Sequence, residues 1–163
     1  MENKSAQLQI RVSESQKSAL RRQAKRAGLS MSDWVLNRVL PPVRETFQEL
    51  LKALSVAEKP GYVLAEFNEF LTRLTVSEFK LAVSERPQAK LDDYWRNYVA
   101  ATIEYAAASK RVQGPSWTHD VQPLEDPVFG STLKSLRLHL LTNSPPPFRS
   151  RNIFIDSSIG DRV

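Results

Sequence analysis

The chain is 163 residues long, with 41% hydrophobic residues, 25% charged residues and a formal net charge of +5. This composition is typical of one globular domain or two small ones, and it excludes disorder throughout the chain. Cysteine is absent, which excludes disulfide bonds, thiol catalysis and cysteine zinc sites and favours a cytoplasmic protein. The chain start lacks an apolar signal region, and no run approaches the ~18 apolar residues of a spanning helix, so we expect no membrane segment.

The net charge is concentrated at one end of the chain. Residues 1–40 contain eight lysines and arginines but only three acids, whereas bases and acids balance in the remaining 123 residues. This asymmetry predicts a basic head that binds a polyanion and a neutral body with another role. A solvated basic helix face is the alternative interpretation.

Residues 7–12 alternate polar and apolar side chains, which predicts a β-strand. The side chains expected on its buried face are Leu8, Ile10 and Val12, and those expected on its open face are Gln7, Gln9 and Arg11. Ser13 and Gln16 then have the spacing of a helix capping box, and Gly28 has the position of a helix stop. A basic helix is therefore predicted over about 14–27.

Ser30 is the predicted N-cap of a second helix, which Pro41 and Pro42 end. The head, residues 1–42, thus has one strand and two helices, and a lone strand has no hydrogen-bonding partner. We therefore expect a homodimer in which the strands of two copies pair antiparallel. Whether the bases of the first helix face DNA or solvent stays open; they are Arg21, Arg22, Lys25 and Arg26.

The series Leu8-x-Ile10-x-Val12-Ser13, followed by Gly28-Leu29-Ser30, resembles the ribbon-helix-helix family of dimeric DNA-binding proteins over about residues 5–40. The resemblance implies a two-stranded ribbon in the major groove of double-stranded DNA. It implies base contacts by Gln7, Gln9 and Arg11. Phosphate contacts are expected from Lys4, Ser30, Met31 and Ser32. The implied dimer core is Leu8, Ile10, Val12, Leu20, Trp34 and Val35, with local repacking around the bulky Trp34.

The rest of the chain predicts a mainly α-helical protein. Helical periodicity marks a body over residues 43–141, with a long loop over 113–128 that contains Trp117 and His119. We expect Trp117 to pin this loop to the body. Residues 142–163 are predicted to form a C-terminal tail that either binds a partner protein or packs onto its own body. Its candidate partner contacts are Ile153, Phe154 and Ile155.

Small heads of this family often belong to antitoxins of bacterial toxin–antitoxin pairs. The resemblance therefore suggests a repressor of its own operon that neutralises a cognate toxin through its C-terminal region. One alternative is a repressor with a small-molecule effector site between helices of the body, and another is an enzyme that uses the loop with His119. We expect a non-enzyme with no catalytic residues, no metal site and no cofactor, because no nucleophile, metal-ligand or phosphate-loop pattern occurs.

Overall fold

The computed structural model describes residues 9–26, 28, 30–32, 34–35 and 43–156. The chain divides into two compact units, Met1–Pro42 and Val43–Val163. Five residues with a predicted role lie outside the described residues: Lys4, Gln7, Leu8, and the predicted helix stop at Pro41 and Pro42. Within the described ranges, no helix has both the length and the apolar character needed to cross a membrane.

The first helix, α1, spans Glu14–Arg26, and local interactions set both of its ends. The amide of Ser13 donates to Oε1 of Gln16 at 2.9 Å, and the amide of Gln16 donates to Oγ of Ser13 at 3.2 Å, which confirms the capping box. Beyond the other end, Gly28 has a φ of 68°, a left-handed conformation that favours glycine. The predicted stop at Gly28 is therefore confirmed.

The second predicted helix of the head begins where its cap predicts. Residues 31, 32, 34 and 35 are helical, and the amide of Trp34 donates to the carbonyl of Ser30 at 2.9 Å. Ser30 thus occupies the N-cap position. By contrast, residues 9–12, the described part of the predicted strand, form no strand in the single chain. A β-ladder requires a second strand, so this element stays a prediction that depends on another copy.

The second unit is mainly helical, as the sequence predicts. Its α-helices are α2 (Val43–Val56), α3 (Pro60–Arg73), α4 (Val76–Ala82), α5 (Asp93–Ser109), α6 (Arg137–Asn143) and α7 (Pro146–Arg149). Short 3-10 turns occur at Ser116–Asp120 and Lys134–Leu136. Two short strands, β1 (Val128–Phe129) and β2 (Ile153–Phe154), pair in parallel, with Val128 opposite Ile153.

Side chains close in sequence explain where several of these helices begin. Thr75 and Glu78 form a capping box at the start of α4, with the amide of Thr75 donating to Oε2 of Glu78 at 2.9 Å. At the start of α5, the amide of Trp95 donates to Oδ1 of Asp92 at 2.7 Å. Pro60 occupies the first turn of α3, where its missing amide proton has no cost.

Helix α5 is the central element of the second unit because it contributes to two apolar clusters. Val99 and Ile103 are fully buried in the larger cluster, which also contains the main apolar residues of α2, α3 and α4. Tyr98 and Ala101 belong to the smaller cluster, which contains Phe148 of α7. The apolar spacing of the sequence predicts a long central helix over about 90–112, and α5 confirms it, although α5 begins and ends three residues further in.

The predicted separate tail after residue 141 is wrong for the described residues, because 142–156 pack within the second unit. Ile153, Phe154 and Ile155 have exposed fractions of only 0%, 9% and 6%. Pairing of β2 with β1 holds this segment against α5, where Ile153 and Ile155 contact the smaller cluster. The prediction that these three residues contact a partner protein is therefore corrected: their own unit buries them.

A buried arginine joins the C-terminal segment to α5 and to the long loop. Arg151 is 5% exposed, and its Nη2 lies 2.7 Å from Oε1 of Glu104. The same guanidinium donates to the carbonyl oxygens of Thr118 at 2.8 Å and Val121 at 3.2 Å, and to Oδ1 of Asn97 at 3.3 Å. One side chain therefore fixes three segments that are distant in sequence.

Candidate nucleic-acid interface

Helix α1 has a basic exposed side and a small apolar side. Ala24 is buried and Leu20 is half-buried, whereas the five basic side chains of the helix are all exposed. These are Lys17, Arg21, Arg22, Lys25 and Arg26. At 100° per residue they cover about half of the helix circumference. The described part of the chain forms no ion pair with any of them, so their charge is available to phosphates.

The segment before α1 exposes both of its predicted faces in the single chain. Gln9 and Arg11, predicted to contact bases, are exposed. Ile10 and Val12, predicted to lie in a dimer core, have exposed fractions of 60% and 41%. These two β-branched side chains, two residues apart in the sequence, are exposed to water, whereas the apolar face of a strand is normally buried. The single chain therefore leaves uncovered the surface that a second copy is predicted to cover.

The start of the second head helix has the form of an anion site. Ser30, Met31 and Ser32 are all exposed, and Ser30 holds the N-cap position. The helix dipole is positive at this end, which favours an anion. The phosphate contacts predicted for Ser30, Met31 and Ser32 stay a prediction. The remaining predicted dimer-core residues, Trp34 and Val35, are half-buried.

The long loop of the second unit is pinned by its tryptophan. Nε1 of Trp117 donates to the carbonyl of Val83 at 2.9 Å, and the indole is 6% exposed. This confirms the predicted anchoring role of Trp117 and leaves the neighbouring His119 exposed at the surface. Beside the loop lies an open cleft of about 880 Å³, which has an apolar floor that includes Leu91 and Trp117.

The cleft also contains the half-buried phenol of Tyr94. Burial, with a smaller contribution from the negative charge of Asp92, raises the pKa of this phenol above its ordinary value. Tyr94 is therefore neutral at physiological pH and can act as a hydrogen-bond donor. Among the described residues, no group of three histidine, cysteine or acidic side chains is arranged to hold a metal ion.

The residues that sequence reasoning missed are exposed leucines near α6. A continuous helix over 131–141 is predicted, but residues 131–133 are not helical and a 3-10 turn precedes α6. Leu140 is buried, while the other leucines have exposed fractions of 40–73%. These are Leu133, Leu136, Leu138 and Leu141. Their signal in the sequence is the density of leucine, with five leucines in the nine residues 133–141.

Comparison with known proteins gives one match. Residues 2–55 match the family model NikA-like, described as mobilization protein NikA, which is a DNA-binding family of the ribbon-helix-helix type. The match covers about a third of the chain and extends beyond the head through most of α2. No curated protein and no solved structure matches the chain. The N-terminal third is thus similar to DNA-binding ribbon-helix-helix proteins, in agreement with the resemblance found in the sequence.

Proposed function

We propose that the protein binds double-stranded DNA in a sequence-specific manner as a homodimer, and that it acts in the mobilization of DNA. The similarity of residues 2–55 to mobilization protein NikA carries this proposal. The exposed bases of α1 and the uncovered Ile10 and Val12 support it, since the first attract phosphates and the second require a covering partner.

Within this proposal the head supplies both affinity and specificity. Gln7, Gln9 and Arg11 contact base edges, where each good bidentate pair contributes about 1–3 kcal/mol of discrimination. Lys4, Ser30, Met31 and Ser32 contact phosphates and fix the orientation of the dimer on the duplex. The bases of α1 add affinity that does not depend on sequence.

The first test is selection of preferred sites from random DNA duplexes. We expect enrichment of an inverted repeat, because a twofold dimer reads two equivalent half-sites. Arg11→Ala should bind the selected site less tightly and should no longer discriminate at one position of each half-site. Arg73→Ala, which removes an exposed arginine of the second unit, is the matched control and should bind like the wild type. Binding without sequence preference would refute the proposal.

Mapping the selected site in the DNA of the source cell separates mobilization from repression. A site beside an origin of DNA transfer supports mobilization. A site over the promoter of the protein's own operon, next to a short neighbouring toxin frame, supports the antitoxin hypothesis instead. That hypothesis has lost its expected toxin contacts at 153–155, because those residues are buried.

A second candidate function is a DNA-binding repressor that senses a small molecule. The cleft beside Trp117 favours it, since about 880 Å³ lies within the ~300–1,000 Å³ range of ligand pockets. A metabolite screen that follows thermal stabilisation of the protein tests this candidate. A hit must also change DNA affinity, and a ligand that stabilises the protein without changing DNA affinity would contradict a sensor role.

A further inference from the structure

An exposed apolar surface on the second unit has no partner within the described chain. Leu133 and Leu138 have exposed fractions of 60% and 73%, and Leu136 and Leu141 have fractions of 40% and 42%. They lie within nine consecutive residues, and two exposed bases, Lys134 and Arg137, lie among them. We call these four leucines and two bases the leucine surface. Exposed leucines at this density mark an interaction site more often than ordinary surface.

The charge of the second unit is segregated along its sequence. Residues 127–156 contain four bases and one acid, Asp156, which lies 3.1 Å from Nε2 of His139, whereas residues 43–126 contain thirteen acids and ten bases. One of the four bases, Arg151, is buried and paired with Glu104, but Lys134 and Arg137 face solvent. The guanidinium of Arg137 lies 5.0 Å from the ring centre of Phe129, which holds it beside the leucines. The leucine surface therefore carries two exposed bases beside its exposed leucines.

The cleft beside Trp117 has the complementary character. Its lining contains four carboxylates and two guanidinium groups, those of Asp93, Asp120, Glu125, Asp126, Arg86 and Arg96. Asp93 pairs with Arg96 and Asp120 pairs with Arg86, which neutralises two of these acids. In the part of the chain that the structure describes, Glu125 and Asp126 have no ion pair. We call this the acidic cleft.

We propose that the leucine surface of one copy docks into the acidic cleft of a second copy. Pairing of two leucine surfaces with each other would bring Lys134 and Arg137 of both copies together, and like charges at a contact are repulsive. Docking into the cleft instead places the leucines over an apolar floor and the two bases near Glu125 and Asp126. Charge complementarity therefore favours unlike surfaces of two identical chains.

Contacts between unlike surfaces of identical chains form a closed ring only if the rotation between neighbouring copies brings the last copy back to the first. Otherwise they link the copies into an open series. This inference rests on the proposed function in one respect. A dimer formed through two heads carries two second units, so docking between second units joins dimers that are bound at neighbouring DNA sites. Binding to adjacent sites should then be cooperative, while binding to a single site should not depend on the leucine surface.

Sedimentation velocity of the full-length protein over a range of concentrations tests the docking directly. The wild type should form species larger than a dimer as concentration rises, and more so at low salt. Leu138→Asp should abolish these larger species. Leu81→Asp changes another exposed leucine, 49% exposed on α4, and should leave them unchanged.

Charge reversal provides the decisive comparison. The double variant Lys134→Glu/Arg137→Glu should not assemble beyond the dimer, and neither should Glu125→Lys/Asp126→Lys. A mixture of the two variants should assemble again, because the reversed leucine surface of one then meets the reversed cleft of the other. Rescue on mixing requires a direct contact, since two independently misfolded variants would not restore assembly.

Three results would overturn the docking. The first is a wild type whose sedimentation does not change with concentration, and the second is a mixture of the reversed variants that fails to assemble. The third is binding of the leucine surface to vesicles of anionic lipid without any self-association. In each case a dimer that still binds its selected DNA site leaves the proposed function intact. A monomer without DNA binding that still assembles through its second unit would refute only the proposed function.

Discussion

Replacement of Arg151 by alanine should destabilise the second unit strongly. The side chain is 5% exposed and bonds to Glu104, to Asn97 and to two loop carbonyls. Alanine would leave the carboxylate of Glu104 without its partner in a mostly buried position and would leave the carbonyls of Thr118 and Val121 without a donor. Breaking a buried pair by removal of one member costs about 3–5 kcal/mol.

Urea unfolding followed by circular dichroism measures this loss. With a denaturant dependence of about 2 kcal/mol per molar urea for a unit of this size, the midpoint should fall by about 2 M. Arg149→Ala is the matched control, because the side chain of Arg149 is exposed and, among the described residues, hydrogen-bonds only to the carbonyl of Thr142, at 3.4 Å. It should change stability by no more than about 0.5 kcal/mol.

A second variant separates the ion pair from the rest of the network. Arg151→Met/Glu104→Leu removes both charges, so it should be more stable than Arg151→Ala. Equal losses for Arg151→Ala and Arg149→Ala would refute the argument that Arg151 holds the three segments together.

Three further predictions concern single residues. Gly28→Ala should lower the free energy of unfolding by about 1 kcal/mol, because alanine is strained at a φ of 68°. The strain comes from the backbone, since the added carbon meets nothing within 4 Å beyond its chain neighbours. An unchanged melting temperature would contradict this prediction. Burial raises the pKa of Tyr98 to about 12, so the unfolded chain ionises first and stability should fall as pH rises above ~10. Tyr98→Phe should remove the step at the highest pH from an ultraviolet titration of the tyrosines, and persistence of that step would assign it to another residue. A side-chain hydrogen bond from Thr75 lowers the pKa of Glu78. Ionised Glu78 therefore stabilises the fold fully above the ordinary pKa of 4.5, and this stabilisation is lost as pH falls. The stability difference between wild type and Glu78→Ala should shrink in acid.

The α2 helix adds a feature that the sequence resemblance did not include. The resemblance covers about residues 5–40, whereas the family match continues to residue 55 and takes in most of Val43–Val56. This helix packs with α3 and α4 in the larger apolar cluster. The boundary between the two structural units therefore does not coincide with the end of the family similarity.

Signals between residues three or four apart were sufficient to predict local structure. The hydroxyl and amide groups of Ser13 and Gln16, like those of Thr75 and Glu78, meet within one helical turn, so their spacing alone predicts the bonds that form. Gly28 ends its helix through its own backbone conformation. The same reasoning located the central helix α5 from its apolar spacing and the anchoring role of Trp117 from its place on a long loop.

Burial depended on segments that are far apart in the chain. Ile153, Phe154 and Ile155 look like an exposed partner-binding motif until β2 pairs with β1 and packs near Tyr98, more than fifty residues earlier. The leucines of 133–141 show the reverse. Their pattern suggests a buried helix, but Leu140 is the one leucine among them that is buried. Spacing along the chain determines which side chains share a face, but only the tertiary structure decides whether another segment covers that face.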